Sequence, residues 1–452
     1  MTRRLTRTAT KLILLIAIVL GLVFILDGRY RVLPPSLHNY LPSHYPDLVI
    51  TDISVTTCLP ALAFLSSCNL DSEKWLRIDK DLYLGKHWLR RGYVHIQRKK
   101  EDALTAEDKV ILDIRVGRLD PGDAEKDQAQ GDEKWEPREG GIWLKRSSKR
   151  HASDSHQAIT AVDVLFGADA VEPRPGWSIA PKTPLLLTSA DQTEEVRLTM
   201  RRGRPVELPR TDPRISKSGK FKIIQVADLH LSTGLGECRD VVGPKGESCD
   251  ADPRTLDFIA SLLDQEKPDL AVLTGDQING DTAPDAQTAV FKFAAPFIER
   301  KIPYAAIFGN HDDEGSLSRS ALMGIIESLP YSLSKAGPSD VDGVGNYVVE
   351  ILAPSGSSHS ALTLYLLDTH GYSPDENRFR GYDWLKSNQI DWFSKTAEGL
   401  KSSHAAYTHI HMDMAFIHIP LPEYRDKKNH FVGAWRESPT APGFNSGFKD
   451  AL

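Results

Sequence analysis

Residues 221–230 read Phe-Lys-Ile-Ile-Gln-Val-Ala-Asp-Leu-His. The apolar run Phe221 to Ala227 has the length and composition of a buried strand, and it breaks abruptly at Asp228-Leu229-His230. Because i and i+2 point to the same side of an extended chain, Asp228 and His230 can reach one ligand together. The same ending recurs twice: Leu270–Leu273 runs into Thr274-Gly275-Asp276, and Tyr304–Phe308 into Gly309-Asn310-His311-Asp312. Helical patterns separate these strands. Pro253–Glu266 is predicted as a helix with Asp252 as N-cap and Leu256, Ile259 and Leu263 facing inward; a second helix carries Val290, Phe293 and Phe297, and a third Leu322, Ile325 and Leu329. Strands Tyr347–Leu352 and Leu362–Leu367, a helix around Ile390–Phe393, and a final strand Ala415–Ile419 containing His418 complete the series. Such alternation implies an α/β layered domain with ligands at the carboxyl ends of its strands.

Carboxylates, imidazoles and an amide converging on one crevice suit a pair of first-row divalent ions engaged in phosphoester hydrolysis. Carboxylates lower the net charge of the pair and can bridge it, while neutral imidazoles and an amide oxygen fill the remaining positions. The glycines before Asp276 and Asn310 allow a sharp turn and close approach of the backbone. Two ions about 3.5–4 Å apart hold a hydroxide as nucleophile and clamp the phosphoryl oxygens. His311 is then free to act as general acid toward the leaving oxygen.

In this order, Asp-x-His, Gly-Asp, Gly-Asn-His-Asp and a late-strand His, the motifs resemble the calcineurin-like metallophosphoesterase superfamily. The run Phe416-Ile417-His418-Ile419-Pro420-Leu421-Pro422-Glu423-Tyr424 is similar to its fungal purple-acid-phosphatase-like branch, which includes phosphatases described as dosage-dependent cell-cycle regulators. The resemblance implies a layered β-sandwich flanked by helices and a dinuclear centre of Mn, Fe or Zn. It assigns Asp228, His230 and a bridging Asp276 to the first metal, Asn310 and His418 to the second, and the acid role to His311, with Asn310 and His311 also facing substrate. Family members end in a Gly-His-x-His motif supplying one histidine to each metal. None follows His418 here, and the only later histidine is His430, so region 221–452 is expected to be C-terminally incomplete and its centre short of ligands. The tyrosine found three residues after the bridging aspartate in purple acid phosphatases is replaced by Asn279, so no tyrosinate colour is expected. Family enzymes orient the acid histidine with a nearby aspartate; Asp281 and Asp312 are both candidates. His370, in Asp368-Thr369-His370-Gly371-Tyr372, is a candidate substrate contact or simply a loop histidine, and His409 and His411 are expected to face solvent on a strand.

Upstream of this domain the chain changes character. Arg3, Arg4, Arg7 and Lys11 precede the uncharged apolar run Leu12–Leu26, about 22 Å of helix, which predicts a signal anchor over 1–27. A cleaved signal is the alternative, although no small-x-small site follows. The cationic end should remain cytosolic, placing the rest in the lumen of the ER or vacuole or outside the cell. Residues 28–46, with Pro34, Pro35, Pro42 and Pro46, read as a stalk, and 47–210 as a smaller, mostly β domain with a charged, Gly-rich disordered loop at 121–141. Cys58 with Cys68 and Cys238 with Cys249 are the local pairings chosen from three connectivities, four free thiols being the alternative. With 55 Lys and Arg against 61 Asp and Glu in 452 residues, the charge of −6 offers no field for nucleic acid. Four cysteines cannot staple a chain this long, so its stability rests on a buried core.

The expected activity is therefore hydrolysis of phosphomonoesters, with phosphoprotein as the leading substrate and a serine/threonine phosphatase as the leading type. Nucleotidase or phosphodiesterase activity within the same superfamily, and a catalytically impaired binding protein of the same fold, are the alternatives.

Overall fold

A computed structural model describes residues 48–59, 68, 70–86, 90–105, 107–118, 134–147, 157–181, 183–187, 194–209, 211–239, 249–405, 411–434 and 440–452, together with Lys11, Leu15 and Val19. Of the expected anchor Leu12–Leu26, only Leu15 and Val19 are described, both helical; the stalk at 28–46 lies outside the described residues. Among the described residues no helix is long and apolar enough to cross a membrane.

Two compact units share the chain. The first comprises Met1–Val164, Ala180–Thr193 and Met200–Pro205; the second comprises Leu165–Ile179, Glu194–Thr199 and Val206–Leu452. In the first, β1 (Leu48–Cys58), β2 (Trp75–Arg77) and β3 (Arg91–Lys100) form an antiparallel sheet ordered β1-β3-β2. A second antiparallel sheet is ordered β4-β6-β5 from β4 (Ile111–Val116), β5 (Lys134–Pro137) and β6 (Ile142–Arg146). Ile53 and Val55 of β1 are buried while Asp52 and Ser54, which alternate with them, are not, the period-2 pattern of a half-buried strand. Strand β5 and the turn Glu139–Gly141 occupy part of the stretch expected to be a disordered loop; residues 119–133 lie outside the described residues. Composition misread β5 because its charges are paired: Glu136 bonds Lys109, Arg138 and Arg146, each at 3.1 Å.

Strands β7 (Ile159–Phe166) and β9 (Val196–Arg202) contribute residues to both units, and β8 (Trp177–Ile179) to the second. The expected boundary at 210–221 therefore falls too late. Leu165 is buried in the second unit's core, Ala170, Val171 and Ile179 pack against it, and Asp169 is ion-paired to the fully buried Lys292 at 2.7 Å.

The second unit is layered. Parallel strands β10 (Ile223–Val226), β11 (Leu270–Thr274) and β12 (Tyr304–Ile307) form one sheet, with α1 (Ala251–Glu266) and α2 (Ala286–Glu299) as crossovers and α3 (Arg319–Glu327) after β12. In the other sheet, β13 (Tyr347–Leu352) runs antiparallel to β14 (Ser360–Leu366). Strand β15 (Met412–Phe416) runs parallel to β14 after crossover helix α4 (Ser387–Ala405). Every residue of β11 is buried, and its alternate side chains serve different cores. Ala271 and Leu273 pack among Ile259, Leu263, Val290 and Phe293 of the helices. Leu270 and Val272, with Ala305 and Ile307, meet Tyr347, Val349, Leu364 and Leu366 of the other sheet. Tyr365 and Leu367 face outward again, onto Leu385, Phe393 and Phe448. Helix, sheet, sheet and helix thus stack in order, as the α/β reading implies.

Two sequence readings of this unit are corrected. Helix α1 starts at Ala251 with Asp250 at the cap position. Asp252 is instead buried, accepting the Ser232 N–H at 2.8 Å and ion-paired to Lys292, which also donates to the Gly234 carbonyl at 2.7 Å. The last strand is Met412–Phe416 rather than 415–419, so His418 follows the strand, as the other strand-end residues do. The expected local disulfides Cys58–Cys68 and Cys238–Cys249 are both present.

Candidate metal centre

Each loop after β10, β11, β12 and β15 places polar side chains at the same edge of the unit. Their backbones are unusual: Asp228, His230 and Asp276 have φ of 58°, 49° and 51°, a left-handed region that non-glycine residues enter only under constraint. Backbone hydrogen bonds supply that constraint. Asp228 N–H donates to the Gly275 carbonyl and His230 N–H to the Asp276 carbonyl, each at 3.0 Å. Asp312, fully buried behind them, accepts the N–H groups of Gly309 (2.6 Å), Asp276 (2.8 Å) and Ile278 (3.0 Å). The two strand-end loops are clamped so closely that only glycine fits: a Cβ on Gly309 would lie 2.1 Å from Asp276 Oδ1, and one on Gly275 2.6 Å from His418 Nδ1.

Asp276 stands at the middle. Its Oδ1 accepts the His311 N–H at 2.8 Å, and its Oδ2 lies 3.6 Å from His230 Nε2 and 3.5 Å from His418 Nε2. Donor atoms fall into two groups that share it, Asp228–Asp276–His418 and His230–Asp276–His311, each with its atoms within 4.8 Å of one another. His230 Nε2 is also 3.7 Å from Asp228 Oδ1. His418 donates its Nδ1 proton to the Thr274 carbonyl at 2.8 Å, so in the neutral ring Nε2 carries a lone pair, aimed at Asp276 and at Asn310 Oδ1 3.3 Å away. Asn310 is oriented in turn by its Nδ2 donating to Tyr372 Oη at 3.1 Å.

Charge in the centre is unbalanced. The hydrogen bond to Asp228 and the nearby Asp276 carboxylate raise His230 above the ordinary imidazole range. Burial opposes protonation of His418, yet the Asp276 carboxylate raises it. For Asp276, burial pushes upward, and the bonds from His418 and the His311 N–H pull it below the usual carboxylate range overall. A site that draws protons onto its imidazoles draws metal cations for the same reason. Lone pairs aimed at carboxylate and amide oxygens around a shared aspartate fit a pair of divalent ions.

His311 is held differently. Its Nδ1 is 2.6 Å from Glu314 Oε2, and its ring lies 5.1 Å from that of His230 and 6.4 Å, edge-on, from that of Tyr372. The orienting carboxylate is thus neither Asp281, exposed on the turn Gly280–Thr282, nor Asp312, committed to backbone N–H groups. Glu314 and Tyr372 were not singled out in the sequence. The signals were present as the i+3 spacing His311-Asp-Asp-Glu314 and the aromatic two residues beyond His370. His370 is not drawn into either donor group: its Nε2 is 2.8 Å from Gln389 Oε1. The solvent-facing reading of His411 is also corrected, for its side chain is 10% exposed and stacks on His404, while His409 lies outside the described residues.

Comparison with known proteins follows the same lines. The calcineurin-like phosphoesterase family profile matches residues 221–434. Phosphatase DCR2 of Saccharomyces cerevisiae is 41% identical over 302 residues, 64% of this chain and 51% of the yeast protein. An uncharacterized protein of Schizosaccharomyces pombe is 32% identical over 400 residues, 86% and 70% of the two chains. The Arabidopsis thaliana protein named Probable inactive purple acid phosphatase 29 is 38% identical over 262 residues, 55% and 67% respectively. The chain thus spans about half the length of the budding-yeast phosphatase it matches.

Proposed function

Because this chain belongs to the calcineurin-like phosphoesterase family, we propose that it is a dinuclear-metal-dependent phosphomonoesterase whose centre is Asp228, His230, Asp276, Asn310 and His418. The observation that carries the reading is the sharing of Asp276 between two donor groups, Asp228–Asp276–His418 and His230–Asp276–His311. The family pattern would place Asp228, His230 and Asp276 on one ion and Asp276, Asn310 and His418 on the other; His230 Nε2 lies 3.7 Å from Asp228 Oδ1, and His418 Nε2 lies 3.3 Å from Asn310 Oδ1. When bound, such ions supply Lewis-acid charge to phosphoryl oxygens and activate a nucleophile. The chain's own residues do the rest. Glu314 fixes His311 through Nδ1, so the ring exchanges protons only at Nε2, where it would protonate the leaving oxygen. Asn310 Nδ2 and Tyr372 Oη, 3.1 Å apart, would orient the phosphoryl group.

Phosphoprotein is the proposed substrate class, with serine/threonine phosphomonoesters first. The proposal extends to a helical anchor at 12–26, which would leave the phosphatase unit lumenal or extracellular, preceded by the smaller β unit. A protease-protection assay on microsomes tests this topology: an N-terminal tag should be digested without detergent and a C-terminal tag only with it, and the opposite result reverses the orientation. For the activity, aryl phosphatase turnover should vanish on chelation and return with Mn, Fe or Zn. A second reading, a phosphate-binding protein without turnover, is favoured by the word inactive in the plant relative's name. Two ions bound without hydrolysis of any phosphoester in a panel of protein, nucleotide and aryl substrates would select it.

A further inference from the structure

At the other ends of β14 and β15, about 15 Å along the strands from the centre, a second group of ligand-type side chains converges. His404 ends α4, His411 immediately precedes β15, and Asp413 lies within that strand. The two imidazoles stack with centroids 3.5 Å apart and planes 19° from parallel. Their Nε2 atoms both face the Thr363 hydroxyl, at 3.2 and 3.0 Å. A hydroxyl has one proton and can donate to only one of them. His411 Nδ1 is 3.1 Å from the Ser360 carbonyl, which only accepts, so Nδ1 carries the proton and Nε2 of the neutral ring a lone pair. That lone pair is 3.3 Å from Asp413 Oδ1. His404 Nε2–H can donate to Thr363 and the Thr363 proton can face His411, but no proton then lies between His411 Nε2 and the Asp413 carboxylate, a contact that a cation would relieve.

We propose that His404, His411 and Asp413 form a mononuclear transition-metal site, of zinc class, separate from the dinuclear centre and tying the end of α4 to the start of β15. Their donor atoms already lie within 4.8 Å of one another, and turning the stacked rings so that both Nε2 lone pairs converge would bring them onto one ion. Two imidazoles and a carboxylate select zinc or copper over magnesium or calcium, which prefer all-oxygen shells. The carbonyl bond that fixes His411 is the outer-shell partner that ligating histidines ordinarily have.

The test uses zinc alone as the probe, with equilibrium dialysis and metal analysis on the full chain and variants. His404→Ala and His411→Ala should each bind one zinc fewer than the unmodified chain. Asp413→Ala, altering an exposed carboxylate that the fold does not need, should bind that zinc at least about 10-fold more weakly. A His230→Ala/Asp276→Asn variant should keep the site, so its loss and the loss of the dinuclear centre are read separately. Unchanged zinc number and affinity in Asp413→Ala and in whichever histidine variants fold would overturn the proposal.

Discussion

The Glu136 network of the first unit and the strand-end cluster of the second treat charge in opposite ways. In the first, carboxylates meet lysine and arginine: Arg138 donates to both oxygens of Asp52, at 2.8 and 3.1 Å, and Glu136 is shared by Lys109, Arg138 and Arg146. In the second, the ion-pair partners of Asp228 and Asp276 are imidazoles. Backbone conformation divides the same way. Among the described residues the first unit has one non-glycine residue at positive φ, Leu84, whereas the second concentrates Asp228, His230 and Asp276 at one edge. A lysine or arginine brings a fixed charge and closes an ion pair, so a network of them is complete in the protein alone. Imidazole is neutral near pH 7 and leaves a cluster of carboxylates in need of protons or metal. In the second arrangement, hydrogen bonds between neighbouring loops hold the positive-φ residues Asp228, His230 and Asp276 in place.

The sharpest way to break this contrast is to neutralise the shared carboxylate. Asp276→Asn should reduce metal binding and phosphoesterase turnover by at least about 100-fold, since loss of even an outer-shell partner costs about 10- to 100-fold. Retention of two tightly held ions, measured by metal analysis, would mean that Asp276 does not bridge. Next in size, His311→Ala should keep its metal and lose about 100- to 1,000-fold of turnover on alkyl phosphates, with a smaller loss on aryl phosphates whose leaving groups need no proton. Equal losses on both would remove the acid role.

Smaller still, Glu314→Gln should lower alkyl phosphate turnover about 10-fold with metal binding unchanged and a smaller loss on aryl phosphates, because an amide holds His311 Nδ1 less firmly than the carboxylate 2.6 Å away. A change in KM alone, equal on both substrate types, would make Glu314 structural. At the closed end of the comparison, Glu136→Gln should leave metal binding intact and destabilise the first unit by about 1 kcal/mol at pH 7, after allowance for solvent screening. Burial opposes ionisation there, but Lys109, Arg146 and Arg138 hold the carboxyl down from 4.5 to about 2. With the folded value depressed, the contribution is fully present above the unfolded value and fades as pH falls from about 4.5 toward 2. Denaturation of both forms across that interval checks it: a gap between them that stays constant with pH would show that the network contributes nothing.

The α/β alternation, the strand ends and the polar residues Asp228, His230, Asp276, Asn310, His311 and His418 were all legible in the sequence, because buried parallel strands are uniformly apolar and any polar cluster interrupting them stands out. Glu314 and Tyr372 were not, since a charged residue three positions along a loop and an exposed aromatic look like ordinary surface until the loops are folded. Asp252 misled for a related reason: an Asp before Pro253 reads as a helix cap, and only the distant Lys292 makes it a buried partner.

Alone, then, the sequence determined which strands of the second unit exist and which side chains follow them, and it favoured local cysteine pairing, all of which depend on residues close together in the chain. Tertiary structure decided that the second unit recruits Leu165–Ile179, that Asp276 belongs to two donor groups at once, that Glu314 holds His311, and that His404 meets His411. The physical reason is range. Propensity and periodicity act over a few residues, whereas burial, ion pairing and ligand convergence depend on where the packed sheets bring distant loops.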